Sequence, residues 1–302
     1  MQIYIFALID YAKILIKDID IKRLEKQLEF FRGICLSTSE CKTKQVAEYH
    51  FCKITIFDSG VVLFSGSIHK FWNSISGCLA PNYNQNKANY KGYNGNLFTL
   101  KDITQVMQHL QGLFDCEPQQ MIFRNIELGV NVELNFNPNM FLKGLLYHNG
   151  EIFESGYSRN FYQAWHQQYI IKVYNKSKQY QMTNNVLRFE IKYLKMNEVN
   201  RLGIRTFNDV NKHTLEKATN IILKRFDEVV YYDRTISKSR LTNRQLDLIK
   251  NYSNQLYWID SLKSIHRDRH KKRLKQIIST HSNNLHLQIK TEILKKCVII
   301  NR

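Results

Sequence analysis

The sequence predicts an α+β fold: an antiparallel sheet with covering helices, plus a basic helical C-terminal segment. Three observations predict it. Three separate runs alternate apolar with polar or small residues at period two, as half-buried strands do. Two further apolar runs flank Asp58-Ser59-Gly60, the pattern of a hairpin with a turn glycine. Helical periodicity then dominates the last third of the chain, so strands come first and helices cover them.

The elements follow in order. Tyr11 to Lys17 reads as a strand and Ile21 to Phe31 as an amphipathic helix. Lys53 to Phe57 and Val61 to Ser67 form the hairpin. Asn82 to Asn96, rich in Asn, Lys, Gly and Tyr, reads as a mobile loop. Thr99 suits the N-cap of a helix reaching Phe114, with Leu100, Ile103, Val106, Met107, Leu110 and Leu113 on one face. Three clear strands follow: Ile126 to Leu134, Ile171 to Lys176 and Leu187 to Tyr193. Asn211 to Val229 reads as a long helix, and Thr242 to Ser264 and Arg267 to Ser279 as basic helical segments.

Composition narrows the class. The 302 residues include only 3 Pro and 12 Gly, which excludes collagen-like and Pro/Gly-rich disordered chains. A 43% hydrophobic content is enough for a packed core. The net charge of +18 is uneven: from Arg234 onward there are 16 Lys+Arg against 4 Asp+Glu. The expected organisation is therefore a sheet-based domain over residues 1–233 and a basic segment over 234–302, suited to a polyanion. An AT-rich coding genome would also enrich lysine, so the charge of the body carries less weight than the charge of this tail.

No apolar run approaches the roughly 18 residues that span a bilayer, so no membrane partner is expected. Met1 to Ile9 is apolar but short and lacks a basic start, which argues against a signal peptide. Six scattered cysteines (Cys35, Cys41, Cys52, Cys78, Cys116 and Cys297) show no zinc spacing and read as reduced cytoplasmic thiols. His266 and His270 lie among arginines and lysines and read as part of a basic face rather than a metal pair.

If the three clear strands are neighbours, their polar faces pool Glu127, Asn131 and Glu133 with Lys172, Tyr174 and Lys176, and with Arg188, Glu190 and Lys192. Carboxylate and amide oxygens suit Mg²⁺ or Mn²⁺. A tyrosine between lysines is a nucleophile whose phenolate the cations favour. The inventory fits metal-assisted transesterification of a phosphodiester, leaving a phosphotyrosine link. A plain alternative is an antiparallel sheet with one wet face carrying cross-strand ion pairs.

The segment Ile171-Lys172-Val173-Tyr174-Asn175-Lys176-Ser177-Lys178-Gln179, followed by Leu187-Arg188-Phe189-Glu190-Ile191-Lys192, resembles a signature of rolling-circle replication initiators. These include trans-acting plasmid Rep proteins and filamentous-phage-type replication proteins of the tyrosine nickase superfamily. Arg124-Asn125-Ile126-Glu127 is similar to their "Arg-x-Asp/Glu" strand, and Ser65-Gly66-Ser67-Ile68-His69-Lys70-Phe71 to a phage-type Gly-Ser-x-x-Lys segment. The resemblance implies a nicking sheet with Tyr174 as nucleophile and with Glu127 and Glu190 serving the metal. It implies a single-stranded or hairpin DNA origin as partner, with a homodimer or host replication proteins beside it. The His-hydrophobe-His pair of most tyrosine nickases is absent, so the ligand set stays open.

In the tail, Arg267, Arg269, Lys271, Lys272, Arg273 and Lys275 cluster within nine residues, following Tyr252, Tyr257 and Trp258. Cations bind phosphates and aromatic faces stack on bases, and two short helices suit a duplex reader. The aromatics could equally dock the segment while the cations stay solvated. Two functions therefore stand: a DNA nickase that initiates replication, or a non-catalytic nucleic-acid-binding protein on the same scaffold, such as a repressor, replication accessory or inhibitor of a host nucleoprotein complex.

Overall fold

The structure, a computed structural model, describes residues 8–34, 41–85, 87–156 and 159–298. The strands in chain order are β1 (Ile9–Ile16), β2 (Phe31–Ile34), β3 (Cys41–Tyr49), β4 (Cys52–Phe57), β5 (Val62–Ser67), β6 (Met121–Leu134), β7 (Leu145–His148), β8 (Glu151–Ile152), β9 (Glu154–Ser155), β10 (Phe161–Trp165), β11 (Tyr169–Asn175), β12 (Asn185–Tyr193) and β13 (Val229–Tyr231). The helices are α1 (Ile21–Gln27), α2 (Ile68–Ile75), α3 (Leu100–Phe114), α4 (Asn139–Leu142), α5 (Lys176–Tyr180), α6 (Asn197–Arg201), α7 (Lys212–Asp227), α8 (Asn243–Tyr252), α9 (Ser264–His281) and α10 (Leu285–Val298). The fold is α+β with a large antiparallel sheet and covering helices, as the period-two runs predict. Two compact units divide the chain. One comprises the described residues within Met1–Gly129, Lys192–Asn220 and Cys297–Arg302, the other those within Val130–Ile191 and Ile221–Lys296.

In the first unit the sheet runs β2-β3-β4-β5-β1-β6, with every pairing antiparallel. The expected hairpin is β4–β5, and Gly60 at φ +80° takes the left-handed turn position that a Cβ would resist. Thr99 caps α3: its hydroxyl accepts from Asp102 N at 3.3 Å, and its own N–H donates to the Asp102 carboxylate at 2.7 Å. The face of α3 carrying Ile103, Val106, Leu110 and Phe114 is buried, each side chain contributing about 1.5–3 kcal/mol. Phe64 of β5 meets Phe71 of α2 at 5.7 Å and Phe114 at 6.5 Å between ring centroids, which joins helices to sheet.

Two expectations are corrected here. The helix expected over Ile21 to Phe31 ends at Gln27, because Leu28 turns extended and Phe31 pairs with Val46 of β3. Strand pairing wins over helical periodicity for those last residues. The loop expected over Asn82 to Asn96 has only one 3-10 turn, Lys87–Asn89, yet it is tied down. Asn94 donates to the buried Asp10 carboxylate at 2.6 Å, Asn73 donates to the Tyr93 carbonyl at 2.8 Å, and Lys70 donates to the Lys91 carbonyl at 2.8 Å. The asparagines that look like loop composition are satisfying buried polar groups. Asn86 lies outside the described residues.

Gly66, next to this network, faces β4 closely. A Cβ there would sit 2.9 Å from the Cys52 Cα and 2.8 Å from its Cβ. Backbone cannot yield as a flexible side chain can. Gly66→Ala is therefore expected to cost about 1–3 kcal/mol, read as a lower urea midpoint. An unchanged midpoint would contradict the tight β4–β5 approach.

In the second unit the strand order is β6-β12-β11-β10-β9, and β13, β7 and β8 form a three-stranded sheet. Phe161 of β10 stands opposite Tyr174 of β11, and Gln163 opposite Lys172. Phe226 of α7 packs on Phe189 of β12 at 5.2 Å and on Phe141 of α4 at 5.9 Å. The tail aromatics belong to this core. Trp258 and Tyr252 are fully buried, the indole N–H donates to the Tyr252 carbonyl at 3.0 Å, and Trp258 lies 5.7 Å from Tyr147. Docking is therefore the outcome for Tyr252 and Trp258, whose rings bury apolar area in the core. His270 of α9 hydrogen-bonds the Tyr252 hydroxyl at 2.9 Å and is likewise drawn inward rather than joining a basic face.

Cys52, Cys78 and Cys116 are free thiols. Cys35 and Met1 to Ala7 lie outside the described residues, and so do the side chains of Cys41 and Cys297. No described helix is long and apolar enough to cross a membrane.

Candidate active site

Period two predicts that Lys172 and Tyr174 share one face of β11, and that Arg188 and Glu190 share one face of β12. The second unit brings these side chains together. The Tyr174 hydroxyl donates to Glu190 Oε2 at 3.2 Å, the Lys172 ammonium to Oε1 at 2.9 Å, and Arg188 Nε to Oε2 at 2.5 Å. Arg188 also donates to the Asn131 side-chain carbonyl of β6 at 3.0 Å. Lys176 Nζ stands 3.5 Å from the Tyr174 oxygen.

Lys176 reaches this point by a route the strand pattern misses. It is the first residue of α5 and not the end of β11. Asn175 ends the strand because its side chain accepts from Lys178 N at 3.1 Å and caps the turn. Asn175 is itself held by Asn139 at 3.0 Å, and Asn139 by Asn160 at 2.8 Å. Lys176 is completely buried, with its ammonium 5.2 Å from the centroids of both the Tyr174 and Tyr180 rings. The Phe161 ring flanks Tyr174 at 5.7 Å. Sequence reasoning missed Asn139, Asn160, Phe161 and Tyr180. Only the Asn175 cap had a local signal, an asparagine directly before a short polar run.

The face that the plain alternative leaves wet is half-buried at Lys172 and Tyr174 and buried at Arg188 and Glu190. Glu190 is 2% exposed and Arg188 3% exposed, while Leu187, Phe189 and Ile191 bury the opposite face. Burial alone would push the Glu190 pKa up. The Arg188 and Lys172 charges and their hydrogen bonds more than offset that and hold the carboxyl below the usual carboxylate range. Arg188, a candidate DNA contact in the sequence, is engaged by Glu190 and Asn131.

The remaining site candidates lie elsewhere. Glu127 belongs to the first unit, where Lys192 pairs with it at 3.5 Å and stands 5.3 Å from the Tyr11 ring centroid. Glu133 is exposed at the end of β6 and lines a depression with Glu292 and Lys296 of α10. Around Glu190 the donor set does not fit a divalent cation. Both its oxygens are occupied by cationic or hydroxyl donors, and among the described residues no three His, Cys, Asp or Glu side chains converge.

On α9, Leu274, Ile277 and Ile278 are buried while Arg269 and Lys272 are exposed. Arg267 turns inward to donate to the Ile259 carbonyl at 2.8 Å. Lys271 pairs with Asp268 at 3.4 Å, Lys275 donates to the Asp227 carbonyl at 3.3 Å, and Arg273 lies close to Tyr252. The basic run is thus divided between docking contacts and a solvent face.

No known protein family matches the chain, and no curated protein is similar to it in sequence. Among solved structures, the chain is similar to a rolling circle replication initiator protein from Geobacillus stearothermophilus. The identity is 10%, the match covers 81% of this chain and 95% of that one, and the TM-score is 0.39.

Proposed function

We propose that the chain is a DNA replication initiator that nicks and rejoins one strand through a covalent phosphotyrosine at Tyr174. The observation that carries this reading is the Tyr174 hydroxyl held between the Glu190 carboxylate at 3.2 Å and the Lys176 ammonium at 3.5 Å. Glu190 orients the oxygen through the hydrogen bond. Lys176 is placed to stabilise negative charge as that oxygen attacks phosphorus, in a setting where water is largely excluded. The Tyr174–O–P bond forms as the P–O bond to the neighbouring sugar breaks. The phenolic proton passes to solvent water, and the departing sugar oxygen takes a proton from solvent. Rejoining is the same step reversed, so the bond energy is conserved in the linkage and no external energy source is needed.

A divalent metal, if the reaction uses one, would neutralise charge on the phosphate. In the second unit both Glu190 oxygens and the Asn131 side-chain oxygen are already engaged by Lys172, Tyr174 and Arg188, so no residue there is assigned to hold it. Exposed Arg269 and Lys272 are proposed to hold DNA phosphates. Changing both to Ala is expected to reduce the slope of log affinity against log salt by about two, measured by fluorescence anisotropy. An unchanged slope would remove these residues from the contact.

The test of the main reading is a denaturing gel. The protein is incubated with a single-stranded oligonucleotide from its own replicon, with Mn²⁺, with Mg²⁺ or with chelator. A DNA-linked protein band is expected. Its absence with every cognate strand would defeat the enzyme reading and favour the second one, a non-catalytic DNA-binding protein. That second reading draws on Glu190, whose saturation by Lys172, Arg188 and Tyr174 would also suit a purely structural network.

A further inference from the structure

The second unit contains a cleft of about 640 Å³ formed by β13, the end of α7, α9 and the start of α10. The proposed strand transfer does not use it. The size lies in the range of small-molecule sites, roughly 300–1,000 Å³. Val230, Leu274 and Ile278 make an apolar wall. Lys271 and Lys275, four apart on α9, line the same cleft and so lie on one helix face.

Two carboxylates also line it, and both are already compensated. Asp227 pairs with Lys290 at 2.6 Å, and Glu228 is held by Arg225 at 3.0 Å and Asn149 at 2.9 Å. Lys271 also meets the exposed Asp268 at 3.4 Å and Lys275 donates to the Asp227 carbonyl at 3.3 Å, and these two ammonium groups form a cationic edge beside an apolar wall. His286 adds a directional group. Its Nε2 lies 3.0 Å from the Phe226 carbonyl oxygen, which can only accept, so Nε2 carries the hydrogen. Burial pushes its pKa down to about 4, so at neutral pH the ring is uncharged and Nδ1 is an acceptor. Stacking on Phe226 at 4.4 Å fixes the ring plane.

We infer that this cleft binds a nucleotide whose base carries an exocyclic amino group, such as adenine or cytosine. The flat base lies on the Val230–Leu274–Ile278 wall, its amino group donates to His286 Nδ1, and the phosphate meets Lys271 and Lys275. Thymine presents a carbonyl where these bases present the amino group, so it is disfavoured. The ligand is either a free nucleotide or one residue of a DNA strand. The inference does not depend on strand transfer at Tyr174.

Calorimetric titration of the full chain with dAMP, dCMP, dTMP and inorganic phosphate tests it. Binding of dAMP and dCMP is expected, with dTMP at least tenfold weaker and phosphate alone silent. Lys275→Glu, on an exposed side chain, is expected to weaken dAMP at least tenfold. His286→Phe keeps the stack on Phe226 but loses the acceptor, so dAMP and dTMP should become equal. Tyr174→Phe should bind dAMP like wild type. Competition with a short oligodeoxyadenylate identifies the source: displacement of dAMP assigns the cleft to the strand, and retention assigns it to the free nucleotide. No binding of any nucleotide at millimolar concentration would overturn the inference. So would dAMP binding that is indifferent to both Lys275→Glu and His286→Phe.

Discussion

Tyr174→Phe is expected to abolish the covalent DNA adduct while leaving a folded protein that still binds DNA. Phenylalanine keeps the ring that meets Phe161 and lies near the Lys176 ammonium. It loses only the hydroxyl, and with it the donor to Glu190. A hydrogen bond to a charged acceptor contributes about 1.5–3 kcal/mol, and Glu190 keeps its partners Lys172 and Arg188. The variant should therefore melt only a few degrees lower. Adduct formation should fall to background, because the attacking oxygen itself is removed. Lys176→Met offers a graded comparison: losing one electrostatic stabiliser of a transition state typically slows the step about 10²- to 10³-fold. A gel band of wild-type intensity from Tyr174→Phe would remove Tyr174 as the nucleophile. Lost DNA binding in a folded Tyr174→Phe protein would instead show that the ring serves recognition.

The second large effect is on stability. Glu190→Ala is expected to destabilise the protein by about 3–5 kcal/mol, because Arg188 and Lys172 would remain in the interior without their shared counter-ion. Glu190→Gln keeps the shape and part of the hydrogen bonding and should fall between. The pH dependence separates charge from shape. The folded carboxyl is held below its ordinary value of 4.5, so its ionised form contributes stability that is present above that pH. That contribution is lost as pH falls from 4.5 towards the lowered native value. The advantage of wild type over Glu190→Gln in urea should hold from pH 7 to about 5 and shrink below that. A constant difference down to pH 3 would show that the carboxylate charge contributes nothing to the fold.

Local pattern decided much of this protein. Alternation along Ile126 to Leu134, Ile171 to Lys176 and Leu187 to Tyr193 is a property of a few consecutive residues, and so is the Thr99–Asp102 cap. Each is written where it acts, and each is found in the structure, except that the second strand ends at Asn175. That Lys172 shares a face with Tyr174, and Arg188 with Glu190, followed from the same period, whereas the adjacency of β11 and β12 that brings Glu190 to Tyr174 came only from the tertiary structure. Burial did not follow. That the Arg188 and Glu190 face is closed depends on residues far along the chain, and no strand records whether its polar side meets water. Lys176 shows the finer limit: the strand period puts it beside Tyr174, whereas a cap at Asn175 puts it in a helix whose side chain folds back to nearly the same place. The tail shows the broader one. Its charge was legible as a sum, but tertiary packing decided which cations turn inward, as Arg267 does, and which face solvent, as Arg269 and Lys272 do. Composition counts charges, whereas burial of Trp258, Leu274 and Ile278 fixes the helix rotation that distributes them.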